Sequence, residues 1–293
     1  MSRLRAATAP LGGVESCAGV SVEGRPIVRF DFGTRGKPVV FLTALMHGVE
    51  VIGGLALLDV LEKLGRSPRA RSLLENAHWV VLPIVNPDAL AANLARHARG
   101  ERAWQRCNGS GVDLNRNFPR LSRRRVFNPL AGSRMRLSPY YAGPHALSEP
   151  ESRAVHDVAV ATRPFLSLAF HSFGNMLLYP WAHTHRANPR TRVYRDLGGA
   201  LTRSLARFPY QLRQAQSLYS MLGEMDDWLD AEFGTLAFTV EVSRPEFSVR
   251  RPWKILNPFW WMNPEASRPV VDDLSPGILS LLGAAVVGVG TLL

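Results

Sequence analysis

The sequence predicts a single α/β domain with a mixed, mostly parallel central sheet and helices on both faces. Three observations predict it. Short runs rich in Val, Leu and Phe recur at 37–45, 78–85, 165–170 and 236–242, as expected of strands buried on both faces. Segments with apolar residues at helical spacing alternate with them, at 50–64, 149–161 and 190–207. The chain has 293 residues, 46% of them hydrophobic, which is enough for one large core.

Each element has its own warrant. KPVVFLTAL (37–45) is a continuous β-branched and apolar run. The helix after it stops at Gly65. HWVVLPIV (78–85) is halted by Asn86-Pro87. The helix at 149–161 is expected to open with Ser148 and Glu151 in a capping-box arrangement. FLSLAF (165–170) and LAFTVEV (236–242) complete the buried strands. Residues 1–20 read as a short lead and 21–293 as the domain proper. The last 17 residues, Gly277–Leu293, carry no charge but include four glycines and lack a basic flank. A final helix packed on the core is the expectation, with a membrane tail as the competing reading.

Net charge is +11, and all but three of the cations are arginine. The arginines are scattered and no nucleic-acid motif accompanies them, so no nucleic-acid partner is expected. The densest stretch, Arg120 to Arg136, holds six arginines and reads as a solvated insertion. Two cysteines, Cys17 and Cys107, and a start without a long apolar core give the expectation of a cytoplasmic protein.

The chemistry begins at His47-Gly48-Val49-Glu50. An imidazole and a carboxylate three residues apart can be aimed at one point by a helical turn. His171, ending FLSLAF, is the natural third ligand for one zinc ion, since a catalytic zinc takes three N/O ligands and leaves a position open. H-x-x-E alone is a weak signal. Glu241 lies inside an apolar run, where a carboxylate is costly to bury without a task. His47, His171 and Glu241 all fall at or just past strand ends, where α/β sheets place their sites.

Several segments, in order, resemble the zinc carboxypeptidase family from about Ser21 to Glu241: SVEGRPIVRF, HGVE, GVDLNRNF (111–118), YYAGPHALSEPE (140–151) and AFHSFGNMLLYPW (169–181). The spacings from Tyr219 to Asp227-Trp228 and to Glu241 are the family's as well. The resemblance implies one zinc ion held by His47, Glu50 and His171, with Glu241 as general base. It implies that Arg106 polarises the scissile carbonyl, anchored on the Arg-x-Asn pattern with Asn108. Gln105 separates Arg106 from Trp104, unlike the secreted members, and Arg102 is the next candidate. Asn115 and Arg116 resemble the pair that grips a terminal carboxylate, and Tyr219 the tyrosine that caps substrate. Asp226 falls where the family sets side-chain preference, implying a basic or diaminopimelate-like terminal residue. Its competing role is that of a helix-start carboxylate.

The implied activity is hydrolysis of an amide bond next to a free C-terminal carboxylate in a short peptide. The compact motifs look nearest the murein peptide amidase and short carboxypeptidase branch. Zinc-dependent deacylation of N-acyl amino acids and a non-catalytic peptide-binding module are the alternatives. His183 and His185 raise the thought of a second metal, and a polar loop is the simpler reading. The aromatic stretch 253–265 reads as a cover for the core or as a peptide-docking surface.

Overall fold

The computed structural model describes residues 1–68, 70–122, 128–245, 254 and 256–288. Part of the arginine-rich stretch (123–127), residues 253 and 255 of the aromatic stretch and the last five residues of the tail lie outside the described residues. Eight strands form one sheet in the order β1-β2-β4-β3-β5-β8-β6-β7. They are β1 (Val14–Val20), β2 (Pro26–Gly33), β3 (Val39–Ala44), β4 (His78–Leu82), β5 (Leu166–His171), β6 (Met176–Tyr179), β7 (Gln211–Gln214) and β8 (Leu236–Glu241). The helices are α1 (Ser2–Thr8), α2 (Val51–Arg66), α3 (Ala70–Asn76), α4 (Pro87–Ala98), α5 (Pro150–Thr162), α6 (Thr191–Thr202), α7 (Met225–Phe233), α8 (Phe259–Met262) and α9 (Ser267–Val287). The centre, β4-β3-β5-β8, is parallel, and antiparallel pairs flank it at β2/β4 and β6/β8.

Side chains alternate across a strand, and here both faces are buried. Val40, Leu42, Leu168, Phe170, Phe238 and Val240 point into one core, shared with α1, α2, α6 and α9. Phe41, Val80, Leu82, Ala169 and Ala237 point into a second, shared with α5 and α7 through Val155, Val158, Met225 and Trp228. This two-sided burial is why the four central strands read as unbroken apolar runs.

Residues 1–20, read as a lead, contribute α1 and the edge strand β1, which pairs antiparallel with β2. β1 is largely exposed and β7 is the polar tetrapeptide QLRQ, so neither carries a hydrophobic pattern to read. The capping-box expectation fails. Ser148 Oγ donates to Glu149 Oε1 (2.7 Å) and accepts from Asn117 Nδ2 (2.9 Å), while the Glu151 carboxylate accepts from Val22 N (3.0 Å) and Asn108 Nδ2 (2.9 Å). Both side chains are recruited by tertiary partners, and α5 starts at Pro150 without a side-chain cap. The helix expected at 190–207 spans Thr191–Thr202. The C-terminal helix α9 packs on α2 and α6 and buries Val271, Leu274, Ile278, Leu281 and Leu282. The span Phe259–Val287 has the length and composition to cross a membrane, but 56% of its most apolar window is buried in the protein, which matches a core helix.

Candidate metal centre

His171 is the last residue of β5 and Glu241 the last of β8, and the two are partners in the parallel register. Both share the strand face of Ala169 and Ala237 and emerge where the sheet ends. His47 and Glu50 lie in the turn between β3 and α2. A Cβ at Gly48 would collide with the Ala89 backbone, and one at Gly53 would come within 2.8 Å of Phe170 O. Glycine at these two positions lets α4 and β5 press against the turn and against α2. Glu50 occupies the N-cap position of α2 without capping it. The cap comes from far along the chain, since Asn263 Oδ1 accepts from Ile52 N (2.9 Å) and its Nδ2 donates to Val49 O (2.8 Å). The Glu50 carboxylate is thereby left to face the imidazoles.

His47 Nδ1 lies 2.9 Å from Glu50 Oε1, and His171 Nδ1 lies 2.9 Å from Glu50 Oε2. The two Nδ1 atoms are 3.1 Å apart. All three side chains are buried, and their ligand atoms lie within 4.8 Å of one another. Ligands of one tetrahedral zinc sit roughly 3.3 Å apart, close to these separations. Two nitrogens and a carboxylate are a donor set that suits zinc, so the residues fit the ion.

Behind the trio stands Asp113, a residue the motif contained but the sequence reading gave no role. Its Oδ1 lies 3.1 Å from His47 Nε2 and accepts from Asn115 N (3.0 Å), and its Oδ2 accepts from Arg106 Nε (3.0 Å). A carboxylate on the outer nitrogen fixes the tautomer that leaves Nδ1 unprotonated toward the centre. Burial works against the Asp113 charge, but Arg106, His47 and Arg116 outweigh it and hold its pKa well below the carboxylate range. Glu50 is likewise lowered, because His47 and His171 outweigh its burial.

Arg106 reaches the centre through Nη1, which donates to Glu50 Oε1 (3.2 Å), and its guanidinium lies over the Tyr140 ring at 5.3 Å. Arg102 is exposed beside Trp260 in another depression. The loop bearing Arg106 is pinned by Asn108. Its amide donates to Glu149 (2.8 Å) and Glu151 (2.9 Å), while its carbonyl accepts from Ser110 N and Val112 N.

Arg116 is buried, donating to Leu130 O (3.1 Å), Asn115 O (2.7 Å) and the Tyr219 hydroxyl (3.4 Å). Asn115 Oδ1 accepts from Met225 N (3.0 Å), tying this loop to the start of α7. Asp226, on α7, is buried, and its Oδ2 accepts from Thr239 Oγ1 (2.6 Å) while Oδ1 has no partner. It therefore does not cap the helix. Burial pushes its pKa up to about 6, against the Thr239 hydrogen bond. Thr239 and Glu241 alternate onto the same face of β8. Glu241 Oε2 is sealed from solvent and unpartnered. Burial and the Glu50 charge push its pKa up to about 7, against the pull of His171, Arg106 and Arg116.

The other sequence features find structural roles. Asp227 accepts from Ala182 N (2.8 Å) and pairs with His183 Nδ1 (2.6 Å), whereas His185 lies beside Gln216. Among the described residues, only His47, Glu50 and His171 form a metal-competent group. Phe259 packs with Val49 and Ala103, so α8 covers the turn that carries the ligand pair.

Fold and site together define an α/β protein with a buried His-Glu-His centre for a divalent ion. Residues 14–263 match the family model described as zinc carboxypeptidase, and the chain belongs to that family. It is similar to carboxypeptidase B of Helicoverpa zea, 30% identical over 250 residues, covering 77% of this chain. The chain spans only 56% of the length of that relative. Among solved structures it resembles carboxypeptidase A from Helicoverpa armigera, with a TM-score of 0.81 at 24% identity over 98% of this chain and 71% of that one. It also resembles the murein-tripeptide amidase of Escherichia coli O157, with a TM-score of 0.54 at 19% identity over 92% of this chain and 91% of that one. At these identities the solved structures speak for the fold alone.

Proposed function

We propose that this protein is a zinc-dependent carboxypeptidase that hydrolyses the amide bond next to a free C-terminal carboxylate in short peptides. The observation that carries the reading is the Glu241 carboxylate. Its Oε2 is sealed from solvent and lacks a hydrogen-bond partner, and the residue stands across the sheet register from His171. A bound zinc supplies a Lewis acid that acidifies water and polarises a carbonyl. Glu241 takes the proton from the attacking water and delivers it to the leaving amine. Its raised pKa suits a group that must both accept and release a proton near neutrality, and the charge of a divalent ion draws that pKa back down. Arg106, held by Asp113 and Glu50, offers a fixed cation to the oxygen that gains charge. Arg116 and Asn115 grip the terminal carboxylate, guanidinium being suited to a bidentate contact, and Tyr219 closes over it.

The proposal extends to a basic or diaminopimelate-like terminal residue, as in a murein peptide. The unpartnered Asp226 Oδ1 supports it, because a buried carboxylate is best satisfied by a cationic group. Cys17 and Cys107 are both free, in keeping with the cytoplasmic location that belongs to the same reading.

The test is Glu241→Gln in zinc-loaded protein, assayed on dipeptides ending in Arg, Lys and Phe and on murein tripeptide. Turnover is expected to fall by roughly 10²–10⁴-fold with zinc content unchanged. Undiminished turnover would end the assignment. Equal rates on terminal Arg and Phe would remove the basic preference while leaving the carboxypeptidase reading intact.

A further inference from the structure

A cavity of about 550 Å³ opens beside Arg116, and apart from that residue its walls play no part in the carboxypeptidase reading. Arg116, Arg120, Arg134 and His145 line it, with Phe118 and Tyr141 as aromatic walls. No carboxylate is among its lining residues. Arg120 and Arg134 form no ion pair among the described residues, unlike Arg5, which pairs with Glu15, and Arg99, which pairs with Glu101. The cations are close together. A Cβ built on Gly132 would lie 3.6 Å from both Arg116 Cδ and Arg120 Nη2. Although Arg120 is exposed overall, partial cover of its guanidinium lowers its pKa, and the neighbouring Arg134 charge lowers it further. A guanidinium does not shed its proton at physiological pH, so this repulsion persists until an anion arrives.

We propose that this cavity is a binding site for a doubly charged oxyanion, separate from the metal centre and gripped by Arg120 and Arg134. Each guanidinium presents a planar fork that matches two oxygens of a phosphate-like group. The cavity has room for the anion together with an organic group attached to it, which the aromatic walls would contact. The site does not depend on the hydrolytic reading, and its test needs no turnover.

The test is calorimetric titration of the zinc-loaded protein with inorganic phosphate and, separately, with phenyl phosphate. These probes distinguish a free oxyanion from one carried on an organic group. At least one is expected to bind saturably. The double variant Arg120→Gln/Arg134→Gln is expected to weaken that binding roughly 30-fold or more, the effect of losing charge-assisted hydrogen bonds. Arg134→Lys, which keeps the charge but loses the fork, should weaken it less. A control that removes the same charge at exposed positions elsewhere, Arg66→Gln/Arg195→Gln, should leave it unchanged. All four side chains are exposed, so the variants should fold. The proposal is overturned if neither probe binds, if the Arg120/Arg134 double variant binds as tightly as the parent, or if the control weakens binding equally.

Discussion

His171 and Glu241 reach the cleft from the ends of two hydrogen-bonded parallel strands, whereas Arg106 and Tyr219 reach it from loops and Asn115 and Arg116 from the short 3-10 turn Leu114–Arg116. The strand-borne pair is placed by register: once β5 and β8 align, both residues emerge on one face. The loop-borne group is placed by buried polar bonds, namely Asn108 to Glu149 and Glu151, Asp113 to Arg106, and Asn115 to Met225. Register is backed by the whole sheet, while each loop hangs on a few hydrogen bonds. Damage to the first should therefore abolish the centre, and damage to the second should weaken substrate binding in steps.

The largest expected effect is that of His171→Ala. Zinc content should fall from one ion per chain to none and turnover to background, read by metal analysis and a dipeptide assay. Full zinc retention would show that β5 does not supply a ligand. Next is Asp113→Asn, which bridges the two regions. Zinc affinity should drop ~10–100-fold, measured by chelator competition, with the oxyanion contact of Arg106 loosened as well. Arg116→Lys should raise KM roughly 10–30-fold with a smaller change in kcat, because the fork is lost but the charge stays. A fall in kcat alone would place Arg116 with the reacting atoms rather than the terminal carboxylate.

A smaller effect separates the regions by pH. Glu241 and Asp226 have pKa values raised to about 7 and about 6. A carboxyl group raised in the folded state contributes stability that is present at low pH and lost as pH rises through the folded value. Metal-free protein should thus lose stability between about pH 4 and 7 and level off above that. Glu241→Gln should recover on the order of 2 kcal/mol at pH 8 and little at pH 5, read from urea midpoints. An equal gain at both pH values would mean that the carboxylate is not strained. The smallest effect is that of Tyr219→Phe, a few-fold rise in KM from one lost hydrogen bond.

The contrast also governs what the sequence made legible. The four central strands were readable because two cores bury both of their faces, and the ligands could be found because His171 ends one of those strands while His47 and Glu50 follow closely on another. The edge strands β1 and β7 were silent, since an exposed edge needs no apolar pattern. Ser148 and Glu151 looked like a helix start, but their partners Asn117, Val22 and Asn108 are chosen by tertiary packing. Asp113 was in plain view inside GVDLNRNF, but its task depends on His47 and Arg106 arriving beside it. Asn263 gave no signal of its capping role, since Ile52 and Val49, the two residues it clasps there, lie more than 200 positions away.

That last contact bears on the order of events during synthesis. The amide of Asn263 closes the first turn of α2, directly behind Glu50, so the seat of the ion stays unfinished until most of the chain has left the ribosome. A nascent chain arrested before that point would hold His47, Glu50, His171 and Glu241 yet lack the clasp that steadies them. A chain truncated before Asn263 is therefore expected to hold zinc more weakly than the full chain, which chelator competition would read.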